Sequence, residues 1–371
     1  MPGRPIGRGE SSARRQVTRS PIGARTVHYE YVLESLPILD LSRLDAGAEQ
    51  ADAFRAELRQ VTRDVGFFYL VGHGIEQQLI DDVLALSRRF FELPDEAKLE
   101  IENIHSAQFR GYTRVGKELT VGRVDWREQT DIGAERPVAE GDEDFWRLQG
   151  PNLWPTALPE LRPVIERWIA ELSDLSRRLL RTWAVALGAP EDSFDAAFGA
   201  DDAYPLLKIV RYPGSPAGRE GQGVGEHRDG GVLTLLLVEP GKEGLQVEHE
   251  GEWIDAPALP GAFVVNIGEM FELASEGYLR ATLHRVFSPA EGTDRISVPF
   301  FFNPALDARM PQLTLPPELA AEVRGVTADP ENSKILEVYG ENVLRYRLRA
   351  HPNVAEVHHP DLVAARAAAS A

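Results

Sequence analysis

The chain changes its hydrophobic period partway along. Residues 48–65 carry Phe54, Leu58 and Val61 at three- and four-residue steps, which predicts a helix. A second helix is expected over 76–91, ended by Leu93-Pro94. A long third helix is expected over 158–188, where Leu161, Val164, Ile165, Trp168 and Leu172 recur on one face. Two apolar runs in this first half read as strands: 36–41, and the aromatic run 67–71 that leads into Gly72-His73-Gly74. From Leu206 to Asn303 the period shortens. Segments rich in Val, Leu, Ile and Phe at 206–212, 232–238, 245–248, 262–267, 283–288 and 296–302 are separated by Gly and Pro. Many short strands at this spacing predict a sandwich or barrel rather than a parallel sheet with helices between its strands. The expected architecture is α+β and mainly β, a helical first half packed on an all-β second half. Its divisions are an arm over 1–30, a mainly helical region over 31–190, a β core over 191–350 and a tail over 351–371.

Composition narrows the chemistry. No apolar run reaches the roughly 18 residues a membrane helix needs, and the first residues lack the apolar core of a secretory signal. Cysteine is absent, which removes disulfides, thiolate metal sites and thiol nucleophiles together, so any metal must be held by nitrogen and oxygen. A cytoplasmic location is the default expectation. The net charge of −18 argues against a nucleic-acid partner. The exception is local: Arg4, Arg8, Arg14, Arg15, Arg19 and Arg25 face Glu10 as the sole acid in residues 1–25. That stretch is poor in large apolar side chains and reads as a disordered basic arm.

The β half contains Gly225-Glu226-His227-Arg228-Asp229-Gly230-Gly231. Positions i and i+2 of a strand share a face, so His227 and Asp229 can aim at one point. A His-x-Asp triplet alone is weak, since nine histidines in a chain of this length give about one by chance. The weight comes from His284, which opens a later apolar strand, Leu283-His284-Arg285-Val286-Phe287. Two imidazoles and one carboxylate on one side of a metal leave coordination positions open, the facial arrangement of non-heme Fe(II) oxygenases. Further along comes Asp294-Arg295-Ile296-Ser297-Val298. Arg295 and Ser297 share a face of an otherwise apolar strand, where a guanidinium needs an anionic partner. A guanidinium fork beside a hydroxyl suits a carboxylate. Tyr212 offers a phenolic donor. The alternative for Arg295 is an ion pair with Asp294 or Glu291 at the strand end.

With these residues in hand, the sequence resembles the isopenicillin N synthase-like branch of the 2-oxoglutarate/Fe(II)-dependent dioxygenases. The matching stretches are 37–41, 66–69, 73–75, Phe109-Arg110-Gly111-Tyr112, Arg211-Tyr212-Pro213, His227-Arg228-Asp229, His284-Arg285-Val286 and Arg295-Ile296-Ser297, in the family's order over about residues 36–350. The resemblance implies a double-stranded β-helix (jelly-roll) core with a helical N-terminal layer. It also implies that His227, Asp229 and His284 bind iron and that Tyr212, Arg295 and Ser297 hold the distal carboxylate of 2-oxoglutarate. The cofactors it implies are Fe(II), 2-oxoglutarate and O2. The activity is oxidation of an unactivated C–H bond of a small molecule, by hydroxylation, desaturation or cyclisation, in secondary metabolism. Two rivals remain: an oxidase of the same fold that uses no 2-oxoglutarate, and a non-catalytic metal-binding jelly roll. Val210 stands where plant members carry Asn, which weakens a plant-like substrate analogy but leaves the carboxylate clamp intact. Arg110, Tyr112 and Gln129 are the candidates for substrate contact. A C-terminal helix over Tyr339–His351 can cover the pocket, with Tyr346 and Arg349 as further candidates. His73 reads as structural and His358-His359 as a solvated pair.

Overall fold

The computed structural model describes residues 35–120, 122–199, 202–327 and 335–369; the basic arm lies outside them. The strands, in chain order, are β1 Ile38–Asp40, β2 Phe67–Val71, β3 Gly111–Thr113, β4 Leu119–Thr120, β5 Arg123–Val124, β6 Glu128–Gly133 and β7 Leu206–Pro213. They continue with β8 Gln222–His227, β9 Leu233–Val238, β10 Leu245–His249, β11 Glu252–Asp255, β12 Phe263–Ile267, β13 His284–Phe287 and β14 Asp294–Phe302. The helices are α1 Ala48–Asp64, α2 Gln77–Phe91, α3 Asp95–Leu99, α4 Leu161–Ala186, α5 Glu269–Ala274, α6 Pro317–Ala320, α7 Tyr339–Ala350, α8 Pro352–His358 and α9 Pro360–Ala369. Among the described residues no helix is long and apolar enough to cross a membrane.

Strand alternation decides how these elements assemble. An eight-stranded sheet runs β1-β2-β12-β9-β14-β7-β6-β3, and a four-stranded sheet runs β11-β10-β13-β8. In β2, Phe68 and Leu70 face outward with Val265 of β12, Leu235 of β9 and Val298 and Phe300 of β14. The periodic faces of α1 (Phe54, Leu58), α2 (Val83, Phe90) and α4 (Trp168, Leu172, Trp183) cover that surface. The alternate residues, Phe67, Tyr69, Val210, Tyr212 and Val264, face Val224, Leu245, Val247 and Val286 of the smaller sheet. Each strand of the larger sheet thus buries one side chain under the helices and the next inside a jelly roll, the double-stranded β-helix. The region before residue 190 is not helical alone: it supplies β1, β2, β6 and β3, four of the eight strands. Strands β3 and β6 carry polar residues on both faces, so their apolar pattern is weak.

Gly66 makes the entry to β2 possible. Its φ is 74°, and an added Cβ would lie 2.3 Å from the carbonyl oxygen of Arg280. A side chain there would be both strained and crowded, whereas glycine ends α1 and turns directly into the aromatic strand.

Candidate active site

His227 is the last residue of β8 and His284 the first of β13, and the two pair directly across the smaller sheet. Their rings lie 4.2 Å apart, and Phe67 meets the His284 ring edge-on at 5.0 Å. Asp229 is not in the strand with His227; it lies just beyond, in the loop that leads to β9. Backbone bonds fix that loop to α5, with Glu269 N donating to Asp229 O at 2.7 Å and Met270 N to Gly231 O at 3.0 Å. Such an approach needs glycine at 268, where a Cβ would lie 2.2 Å from the oxygen of Gly231. The site glycines 225, 230 and 231 adopt no positive φ; close packing accounts for Gly231, where a Cβ would lie 2.2 Å from Asn303 Oδ1, and for Gly225, but not for Gly230.

The three side chains are arranged to offer one ligand atom each. Their candidate ligand atoms all lie within 4.8 Å of one another. His227 Nδ1 lies 2.8 Å from the carbonyl oxygen of Gly225 and His284 Nδ1 3.0 Å from that of Thr282. An acceptor there requires Nδ1 to carry the proton, so that Nε2 is the nitrogen that presents a lone pair when the ring is neutral. The Nε2 atoms of His227 and His284 lie 3.7 and 3.8 Å from Asp229 Oδ1. The other oxygen, Oδ2, accepts from Thr234 Oγ1 at 2.6 Å and Asn266 Nδ2 at 2.8 Å, so Oδ1 is left to point inward. Burial, reinforced by His284, pushes the His227 pKa down to about 4, which keeps the ring neutral. Burial opposes the charge on Asp229, but the two imidazoles and two hydrogen bonds outweigh it and lower its pKa. Neutral imidazoles with an ionised carboxylate are the donor set that a divalent iron requires.

Tyr212, Arg295 and Ser297 come together on the inner face of the larger sheet. Arg295 pairs with Tyr212 across β14 and β7, and Ser297 with Val210. The guanidinium carbon lies 5.0 Å from the Tyr212 ring. Arg295 is 1% exposed, and its Nε and Nη1 have no hydrogen-bond partner. Burial pushes its pKa down. The alternative ion pair with Asp294 does not form: that carboxylate faces the other way, to Arg211 at 2.9 Å and Arg88 at 3.2 Å. A buried guanidinium without a carboxylate is costly unless an anion lies against it.

The remaining candidates separate. Gln129 pairs with Val210 and shares its inward face. Tyr112 does not: it pairs with Thr130, whose face is the outer one, and its hydroxyl donates to Glu128 Oε2 at 2.6 Å. Arg110 is buried against Gly133 and donates to the Tyr204 hydroxyl at 2.7 Å. Arg349 is exposed on α7, and its neighbour Arg347 is the arginine that turns inward, to Asp131 at 2.7 Å. His73 is structural: its Nδ1 accepts from Ile75 N, and its ring meets Phe263 at 4.7 Å. His358 and His359 are not a solvated pair. Their Nε2 atoms each lie 2.8 Å from a carbonyl oxygen, of Ile104 and Ala107, and His359 stacks on Phe109 at 5.2 Å. Glu118, Arg127 and Lys208 do not stand out in the sequence, because charged residues read one at a time look like surface. The signal was parity, since Lys208 lies four residues from Tyr212 in an apolar strand and so shares its face.

A jelly roll with two imidazoles, a carboxylate and an unpaired arginine facing one interior defines a class, the non-heme iron oxygenases. Comparison with known proteins gives the family. Residues 36–157 match the non-haem dioxygenase in morphine synthesis N-terminal model, and 204–304 match the 2OG-Fe(II) oxygenase superfamily model. The 2-oxoglutarate-dependent dioxygenase frbJ of Dothideomycetidae sp. (strain 11243) is 38% identical over 89% of this chain and 94% of its own length. A homoarginine-6-hydroxylase of Arabidopsis thaliana (2-ODD-C23.2) is 34% identical over 86% and 90%. The crystal structure of JOX2 in complex with 2OG, Fe and JA superposes with a TM-score of 0.65 at 27% identity, covering 87% of this chain and 88% of that one. The chain belongs to the 2-oxoglutarate/Fe(II)-dependent dioxygenases, in the isopenicillin N synthase-like group. It is an oxidoreductase that uses Fe(II), 2-oxoglutarate and O2 for hydroxylation-type oxidation.

Proposed function

We propose that Fe(II) is held by Nε2 of His227, Nε2 of His284 and Oδ1 of Asp229, and that Tyr212, Arg295 and Ser297 hold the distal carboxylate of 2-oxoglutarate. The substrate is a small molecule oxidised at an unactivated C–H bond. The observation that carries this reading is Arg295, a buried guanidinium with two unpaired nitrogens on the larger sheet, facing the interior that the two histidines face from the smaller sheet. A five-carbon dicarboxylate that chelates iron at one end brings its other carboxylate toward that group, and the bidentate fork fixes its orientation. Bound iron supplies the redox chemistry, by which O2, 2-oxoglutarate and R–H become succinate, CO2 and R–OH. The chain's own contribution is placement. Gly225 and Thr282 carbonyls fix the imidazole tautomers, Thr234 and Asn266 turn one carboxylate oxygen inward, and Phe67 shields His284 from water.

The relatives' names differ in the small molecule they print, homoarginine in one and JA in the JOX2 complex. Hydroxylation is the outcome that the homoarginine-6-hydroxylase name supports. Anaerobic titration of the Fe(II)-loaded protein with 2-oxoglutarate tests the site. A metal-to-ligand charge-transfer band is expected for the native chain, and none for Asp229→Ala. An undiminished band in that variant overturns the assignment.

A further inference from the structure

Beside the triad lies a second polar structure that iron and 2-oxoglutarate leave unused. Lys208 shares the inward face of β7 with Tyr212, four residues away. The register puts it at the iron end: Phe301 pairs with Leu206 on one side and Thr234 on the other, and Thr234 holds Asp229. Around Lys208 the protein buries three acids (Glu118, Asp125 and Asp131) and two further cations, Arg127 and Arg347, each at most 7% exposed. Lys208 Nζ lies 2.9 Å from Glu118 and 3.8 Å from Asp131. Arg127 lies 3.2 Å from both Glu118 and Asp125, and Arg347, from α7, lies 2.7 Å from Asp131. The segment reaches the iron strand directly: Asp125 Oδ1 accepts from Gln222 Nε2 at 2.9 Å and Gly225 N at 3.3 Å, two residues before His227. Tyr346 of α7 keeps 44% of its surface accessible while lying within electrostatic reach of Lys208, Glu118 and Arg127. Lys208, Asp131 and Gln129 thus lie on the inward face of the larger sheet that also carries Val210 and Tyr212.

Six buried charges are an expensive wall, at several kcal/mol of desolvation per ion, and apolar packing of the same volume would hold the barrel as well. The network is also incompletely satisfied, with a donor free on Arg127 (Nε) and on Arg347 (Nη2) and an acceptor free on Gln129 (Oε1). Three acids balance three bases, so a ligand with a net charge meets as much repulsion as attraction. A dipolar ligand does not: its cation turns to the carboxylates and its anion to the guanidinium groups. We propose that this wall selects a free α-amino acid, through its ammonium and carboxylate together, as the molecule oxidised at the iron. The proposal rests on the iron and 2-oxoglutarate placement above and names the substrate class of that site.

The test uses the full-length protein with Fe(II) and 2-oxoglutarate. Succinate release is measured with each of the twenty protein amino acids and homoarginine, then with Nα-acetyl and carboxamide forms of those that respond. Indole-3-acetate and thymine serve as monoanionic and neutral probes. At least one free amino acid is expected to raise succinate release about tenfold above the substrate-free rate, and blocking either charged group to remove about tenfold of kcat/KM. The paired variant K208Q/E118Q, which removes one cation and one anion together, is expected to raise KM for the amino acid about tenfold or more. It should keep the 2-oxoglutarate charge-transfer band, a readout that a merely structural role would lose with the fold. No response to any free amino acid, equal use of the blocked forms, or stimulation by the monoanionic or neutral probe alone overturns the proposal. A native protein without the charge-transfer band instead overturns the iron and 2-oxoglutarate assignment, so the two failures are distinct.

Discussion

Arg295 and Arg347 are equally buried and face the same barrel interior, yet their surroundings are opposite. Arg295 sits at the Tyr212 end among apolar side chains, has no carboxylate partner among the described residues, and has its pKa pushed down by burial. Arg347 sits near Lys208; burial opposes its charge too, but Asp131 at 2.7 Å outweighs that and raises its pKa. Where the chain supplies no counter-charge, an incoming anion must, and the site is a socket. Where the chain supplies it, the charges form a wall that can change only in balanced pairs.

The comparison can be broken in several ways. The largest effect is outside both arginines: Asp229→Ala should abolish 2-oxoglutarate turnover, because neither the socket nor the wall acts without the metal, and succinate release measures this. Arg347→Met should cost about 3–5 kcal/mol of folding stability by leaving Asp131 buried and unpaired, as read from urea denaturation. The network's pH response comes next. Burial pushes the pKa of His351, which lies against Arg347, from the ordinary 6.5 down to about 4. Between those values the unfolded chain binds the extra proton, so stability should rise with pH across that window, by up to about 3 kcal/mol, and level off above it. His351→Gln should flatten that rise; parallel curves for the two proteins would refute the attribution. Arg295→Met should behave opposite to Arg347→Met, weakening 2-oxoglutarate binding about 100-fold while ligand-free stability does not fall. The smallest effect is expected for Thr234→Val, which removes one bond to Asp229 and should lower Fe(II) affinity by about tenfold or somewhat more, measurable by competition with a chelator.

Much of the socket could be read from the sequence, and little of the wall. His227, Asp229, Arg295 and Ser297 lie in short local patterns whose spacing is meaningful without knowing the rest of the fold. His284 opens an apolar strand, which singles it out among nine histidines. The wall draws on the 118–131 segment, on β7 and on α7, so no window of the sequence contains it. Tyr112 failed as a pocket candidate for the same reason. The β3–β6 pairing that turns it outward joins two strands with polar residues on both faces, and hydrophobic alternation does not reveal such strands. The positions of α1, α2 and α4 are readable because each lays one apolar stripe on the sheet, whereas α8 and α9 occupy the stretch expected to be a tail. The fates of His358 and His359 are not readable, because their partners, Ile104 and Ala107, lie about 250 positions away.

The placement of Arg347 on α7 bears on how the protein is made. Synthesis runs from the amino end, so Glu118, Asp125, Arg127, Asp131 and Lys208 leave the ribosome well before Arg347 does. Until then the nascent barrel interior holds three carboxylates against two cations and is open where α7 will lie. The late helix neutralises and roofs it, and α8 and α9 then fasten that roof to the loop before β3 through His358 and His359. A ribosome stalled before residue 339 would therefore hold an unsealed barrel with an excess negative charge inside.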